Sequence, residues 1–166
     1  DTPGYVELVV EVISSLRVAA TGVMLLNPAH GVEVGTDIIW DYTEQFKTPM
    51  LFAVNKLDDE TADFDKTVHE AQLHFGNKIT VVQYPLNQGV GFNAIVDVLK
   101  MTMYKFPDAG GKPEKLPIPE EEKAKAEDLH RILVEAVAVN DETLMEHYLD
   151  KGELDEDEMR IGLKKS

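Results

Sequence analysis

Cysteine is absent from the 166 residues. That excludes disulfide bonds and thiolate metal sites, and it fits a reducing, cytoplasmic compartment. No apolar run approaches the ~18 residues a helix needs to cross a bilayer, so no membrane partner is expected. The first residues are polar turn formers with no basic stretch ahead of an apolar one, so no export signal is expected there. Positive charge is scarce: 16 Lys and Arg stand against 31 Asp and Glu, a formal net charge of −15. Such a surface repels phosphate backbones, and no direct nucleic-acid contact is expected from it. It suits a basic protein partner, and it equally serves solubility alone. Histidine offers no metal pair either: His69 and His74 are five apart and do not share a helical face as i, i+4 residues do.

What is present is 43% hydrophobic and 28% charged, enough for one or two units with a real core. Residues 4–18 carry apolar positions at helical spacing, Val6, Val9, Val10, Ile13 and Leu16. TGVMLLN, 21–27, is a short continuous apolar run that predicts a buried parallel strand. A helix is expected over 31–46, with Ile38, Ile39, Tyr42 and Phe46 on one side and Trp40 in the core, then a second buried strand over 50–54. A helix over 63–76, closed by Gly76, and a third strand over 78–86 follow. This alternation implies a parallel α/β sheet. The rhythm then changes. A short helix is expected over 93–99, a strand over 100–106, a Gly- and Pro-rich loop over 108–119, and helices over 120–139, 141–150 and 156–164. Asp155 stands three residues before Glu158, the spacing of a capping box.

Two short motifs carry chemistry. Asn55-Lys56-Leu57-Asp58 ends the 50–54 strand, and open α/β sheets bind ligands outside the carboxyl ends of their strands. The Asp58 carboxylate can accept two hydrogen bonds from a guanine edge, from N1–H and from the exocyclic amine. Adenine lacks that donor pair. A hydrogen bond to a charged group is worth ~1.5–3 kcal/mol, enough to select guanine by about tenfold or more. The Lys56 stem can lie along the base, and Asn55 can tie neighbouring loops. Asp1-Thr2-Pro3-Gly4 is the second motif. Asp1 can hold Mg²⁺ through water, and Gly4 lets its backbone N–H approach a terminal phosphate. The same tetrapeptide reads as a helix start with Pro3 at the first position. Its company with NKLD after two strand–helix units favours the nucleotide reading.

On these residues, with ISSLRVAATGVMLL (13–26), the GVE of 31–33, LPIPEEE (116–122) and ETLMEHYLDKGELDEDE (142–158), the chain resembles the translational GTPases, most closely elongation factor G. The resemblance covers nearly the whole length. It implies a partial P-loop GTPase parallel sheet with an inserted α/β, helix-rich subdomain: 1–60 as the later half of the GTPase core, 61–158 mainly insert with its start at either 61 or 87, and 159–166 a returning helix. GTP or GDP with Mg²⁺ are the implied cofactors, the ribosome the implied partner and translocation the implied activity. No G-x-x-x-x-G-K-[ST] occurs in the sequence. A fragment of a larger factor is therefore expected, one that binds nucleotide poorly by itself.

The family motif is DTPGH, whose His positions the attacking water. Here Tyr5 stands in its place. A phenol titrates near pH 10 and accepts a proton poorly at neutral pH, so slowed hydrolysis is expected. That opens a second reading, a ribosome-protection or recycling factor using GTP as a static ligand. Asp59 also departs, since many relatives carry Arg after this loop. The resemblance further implies that the insert meets the large subunit's stalk protein, and the acidic helix face with Glu127, Asp128 and Glu135 is the candidate contact.

Overall fold

Gly22–Leu26 (β1) and Met50–Val54 (β2) pair in parallel, in register from Gly22 with Met50 to Leu26 with Val54. Parallel neighbours need a crossover, and Val34–Phe46 (α2) lies in the one between them. The computed structural model describes residues 2, 8–76 and 79–165. Within them the chain forms two compact units, Asp1–Asn77 with Gln88–Val90, and Lys78–Asn87 with Gly91–Ser166. No described helix is long and apolar enough to cross a membrane.

The first unit adds Val9–Leu16 (α1) and Phe64–Phe75 (α3). The helix expected over 4–18 is seen as α1, residues 3–7 lying outside the described ones. Trp40 of α2, Phe52 of β2 and Phe75 of α3 form an aromatic cluster with ring centroids 4.8–5.6 Å apart, a separation at which rings attract beyond their burial. Met24 and Leu26 are buried, and Met24 is in register with Phe52. The side chains alternate in consequence, so Val23, Leu25 and Leu51 face the other way and stay 60%, 64% and 53% exposed. The sequence predicts strands buried on both faces; here a single face is covered. The Asp63 carboxylate caps α3, accepting the Lys66 N–H at 2.9 Å, and Gly76 ends it at φ 101°.

The second unit departs most from expectation. Gln83–Pro85 (β3), Ala94–Asp97 (β4), Thr102–Lys105 (β5) and Glu114–Leu116 (β6) form an antiparallel sheet in sequence order. The strand expected to extend the parallel sheet, 78–86, therefore joins this one through β3. The helix expected over 93–99 is a strand. Ile95 and Val96 are β-branched and sit between two partners, Pro85 and Tyr84 on one side, Tyr104 and Met103 on the other, and cross-strand packing overrides a weak local helix signal. The 108–119 loop contains β6, which Met103 and Tyr104 pair with Leu116 and Lys115. Asp97 Oδ1 accepts the Lys100 N–H at 2.9 Å and closes the β4–β5 turn.

Helices Glu120–Ala138 (α4), Glu142–Lys151 (α5) and Glu156–Lys165 (α6) complete this unit. Its core gathers Tyr84, Val96, Val98, Leu133, Val137 and Met159, each at most 2% exposed. The buried Tyr84 donates its hydroxyl to Glu122 at 3.1 Å. Asp141 caps α5. The capping box is present: Glu158 donates its N–H to Asp155 Oδ1 at 2.8 Å, and Asp155 donates its own to Glu158 Oε2 at 2.9 Å. Helix α3 groups with the first unit, where Phe75 packs on Trp40 and Phe52.

Gly162 sits where α6 meets α4 and α5, and a Cβ there would overlap Val137 Cγ1 and press on Leu144 Cδ1. Overpacking of this kind costs about 1–3 kcal/mol. Gly162→Ala is expected to lower the unfolding free energy by that amount, read as a lower urea midpoint with the denaturant slope unchanged.

Candidate functional site

The site is built at the shared carboxyl edge of β1 and β2. The pairing continues one step past the strands, Asn55 donating its N–H to the Leu26 carbonyl at 2.9 Å. The chain then turns. Lys56 adopts φ 63°, the left-handed region, which costs a non-glycine residue about 1–2 kcal/mol. Its carbonyl accepts the Asp59 N–H at 3.2 Å, and the Leu57 carbonyl accepts the Gly89 N–H at 2.8 Å. Strain held by a few backbone bonds is common at ligand-binding loops.

Three expected guanine-binding residues, Asn55, Lys56 and Asp58, are thus brought together in one loop. All three side chains are exposed. Asp59 is different. Its Oδ1 accepts the Thr61 hydroxyl at 2.6 Å and the Thr61 N–H at 2.8 Å. The hydroxyl bond first, then the backbone one, holds its carboxyl below the ordinary range. Asp59 is therefore a turn former.

The loop after β1 lies beside this one. Asn27 accepts the Gly31 N–H through its carbonyl at 2.8 Å, and the Pro28 carbonyl accepts the Asp63 N–H at 3.2 Å, tying the two loops. Gly31, of the GVE motif, has φ 72°, and a Cβ there would overlap the Glu70 carboxylate. Glu70 Oε2 accepts the neighbouring Val32 N–H at 3.2 Å. Gln88 Oε1 accepts the Phe64 N–H at 2.8 Å; Glu70, Gln88 and Gly89 thus bond to these loops or to α3 behind them, yet nothing in their local pattern singles them out. Only the turn-forming NQGVG composition hints at Gly89.

Asp1, Gly4 and Tyr5 lie outside the described residues. Among the described residues, no cluster of three or more acidic or His side chains could hold a metal. Three of the five histidines bond to groups elsewhere in their own unit: His74 with Asp37 at 3.0 Å, His130 with the Val98 carbonyl at 2.8 Å and His147 with Glu158 at 2.6 Å.

The acidic residues expected to meet a partner sit on α4, in the second unit. Arg131 binds Asp128 at 2.6 Å and Glu135 at 3.1 Å, and Tyr148 donates to Glu135 at 3.4 Å. Glu127 is exposed near Lys123, which binds Glu120 first. Much of that face is internally compensated.

This arrangement, with its parallel strands, helices and loop at a common edge, is that of a partial P-loop GTPase domain. The profile of the family described as "Elongation factor Tu GTP binding domain" matches residues 1–152, and the chain belongs to that family, among the translational GTPases. A crystal structure of a protein from Thermus thermophilus is similar, with 26% identity and a TM-score of 0.85. The match covers 98% of this chain and 24% of that one, so the chain spans about a quarter of that protein's length.

Thr61→Val removes the hydroxyl that does most to hold the Asp59 carboxyl down. The Asp59 pKa is expected to rise toward the ordinary carboxylate range in an NMR titration.

Proposed function

We propose that this chain supplies the base-recognition part of a translation factor's GTP switch, and that the intact protein binds GTP and GDP on the ribosome. The observation that carries the reading is the NKLD loop, exposed at the strand edge and held in a left-handed turn at Lys56. Asp58 takes N1–H and the exocyclic amine of guanine, Lys56 lies along the base and Asn55 links the loops. By the family motif, Asp1 would hold Mg²⁺ and Gly4 would serve the γ-phosphate. Bound Mg²⁺ supplies neutralisation of phosphate charge. Protein synthesis is the setting, and an elongation factor G type of translocation is the activity proposed. The exposed acidic groups of α4, chiefly Glu127, are the proposed contact for a basic stalk-protein patch.

Tyr5 favours a second reading, a ribosome-protection or recycling factor that keeps GTP as a static ligand. A neutral phenol orients an attacking water less well than an imidazole and cannot take its proton near pH 7.

Asp58→Asn replaces one acceptor oxygen with an N–H₂ that can face a carbonyl. In calorimetry on the intact protein, its preference is expected to move from GDP toward XDP by about tenfold or more. An unmoved preference would remove the guanine assignment. Separately, Tyr5→His is expected to raise ribosome-stimulated GTP hydrolysis by about tenfold or more, short of the full range for a general base. A wild type already as fast as the variant would return the protein to an ordinary hydrolysing translocase.

A further inference from the structure

The segment Gln88–Val90 groups with the first unit, whereas the residues on both sides of it belong to the second. It is the tip of the loop joining β3 to β4. The neck of that loop is closed by Leu86, whose N–H donates to the Ala94 carbonyl at 2.9 Å. Asn87 locks it further: its side-chain N–H₂ donates to the Gly91 carbonyl at 2.8 Å, and its Oδ1 accepts the N–H groups of Asn93 and Ala94 at 3.3 and 3.2 Å.

The tip makes two bonds. Gly89 donates its N–H to the carbonyl of Leu57, the residue between Lys56 and Asp58, at 2.8 Å. Gln88 Oε1 accepts the N–H of Phe64, the first residue of α3, at 2.8 Å. That N–H is one of the donors a helix start leaves without a partner in the helix. The tip therefore grips the recognition loop at its centre and the helix that terminates it. Gly89 holds φ 80° to do so, a backbone that side-chain-bearing residues reach only with strain.

We infer that Gln88 and Gly89 are positioning residues for guanine discrimination, a brace that fixes the Leu57–Asp58 peptide and with it the aim of the Asp58 carboxylate. The inference rests on the guanine reading of NKLD. Beyond Asn55 the loop has left the strand ladder, and its left-handed Lys56 persists only while surrounding bonds over-determine it. The Leu57 carbonyl bond is nearest Asp58. Small errors of aim lose directed hydrogen bonds steeply.

The test compares GDP with IDP, which keeps N1–H but lacks the 2-amino group, by calorimetry on the intact protein. The variants are Asp58→Ala, Gln88→Leu, Gln88→Glu and Gly89→Ala. Asp58→Ala should abolish the preference for GDP. Gln88→Leu and Gly89→Ala should reduce it about threefold or more, the scale of one weakened hydrogen bond. Gln88→Glu, which keeps an acceptor facing Phe64, should restore it. If Asp58→Ala abolishes the preference but Gln88→Leu and Gly89→Ala keep the wild-type ratio, the brace is refuted and the guanine reading stands. The brace is likewise refuted if those two variants weaken binding of both nucleotides equally. If Asp58→Ala keeps the ratio, the guanine reading itself falls, and the brace with it.

Discussion

Parallel strands in one sheet end on the same side, and everything at this site depends on that geometry. β1 and β2 run in register for five residues each, so Asn27 and Asn55 leave the sheet at one edge. The ladder's last bond, Asn55 to Leu26, sets where the second loop begins. From there, two loops that are far apart in sequence fold against each other, joined by the bond from Asp63 to Pro28. The aromatic cluster of Trp40, Phe52 and Phe75 holds the helices beneath that edge. Packing at the middle of β2 and the loop that follows it are thus parts of one construction.

Much of this was readable from the residues. The first unit follows its local signals in element type and order, because its helices carry helical spacing, its strands are short apolar runs, and Asp63 supplies an N-terminal cap. NKLD could be placed at the end of a strand because MLFAV is apolar and short. The second unit was harder. Residues 94–97 become a strand only because β3 and β5 flank them, a fact of tertiary pairing. Likewise 114–116 pair with Met103 to Lys105 despite a polar composition and a neighbouring proline. Short strands carry little periodicity, and their partners decide them.

The site shows the same division. The position of Asn55, Lys56 and Asp58 in an exposed loop after β2 was legible because the three lie close together in the sequence, directly after an apolar run. Glu70, Gln88 and Gly89 were not. They act through backbone groups of residues distant in the chain, so no spacing rule reveals them. The acidic face of α4 looked free in sequence, but Asp128 and Glu135 lie three residues before and four after Arg131, within helical reach of its guanidinium.

The bare side of the two-stranded sheet has a colloidal consequence. Val23, Leu25 and Leu51 leave apolar side chains in water there, the kind of surface that favours association. Opposing this is a net charge of −15, which keeps neighbours apart over a distance that ions in solution shorten. That distance is about 10 Å at 0.1 M salt and about 3 Å at 1 M. The surplus of carboxylates is then a dispersant. Its reach is set by ionic strength.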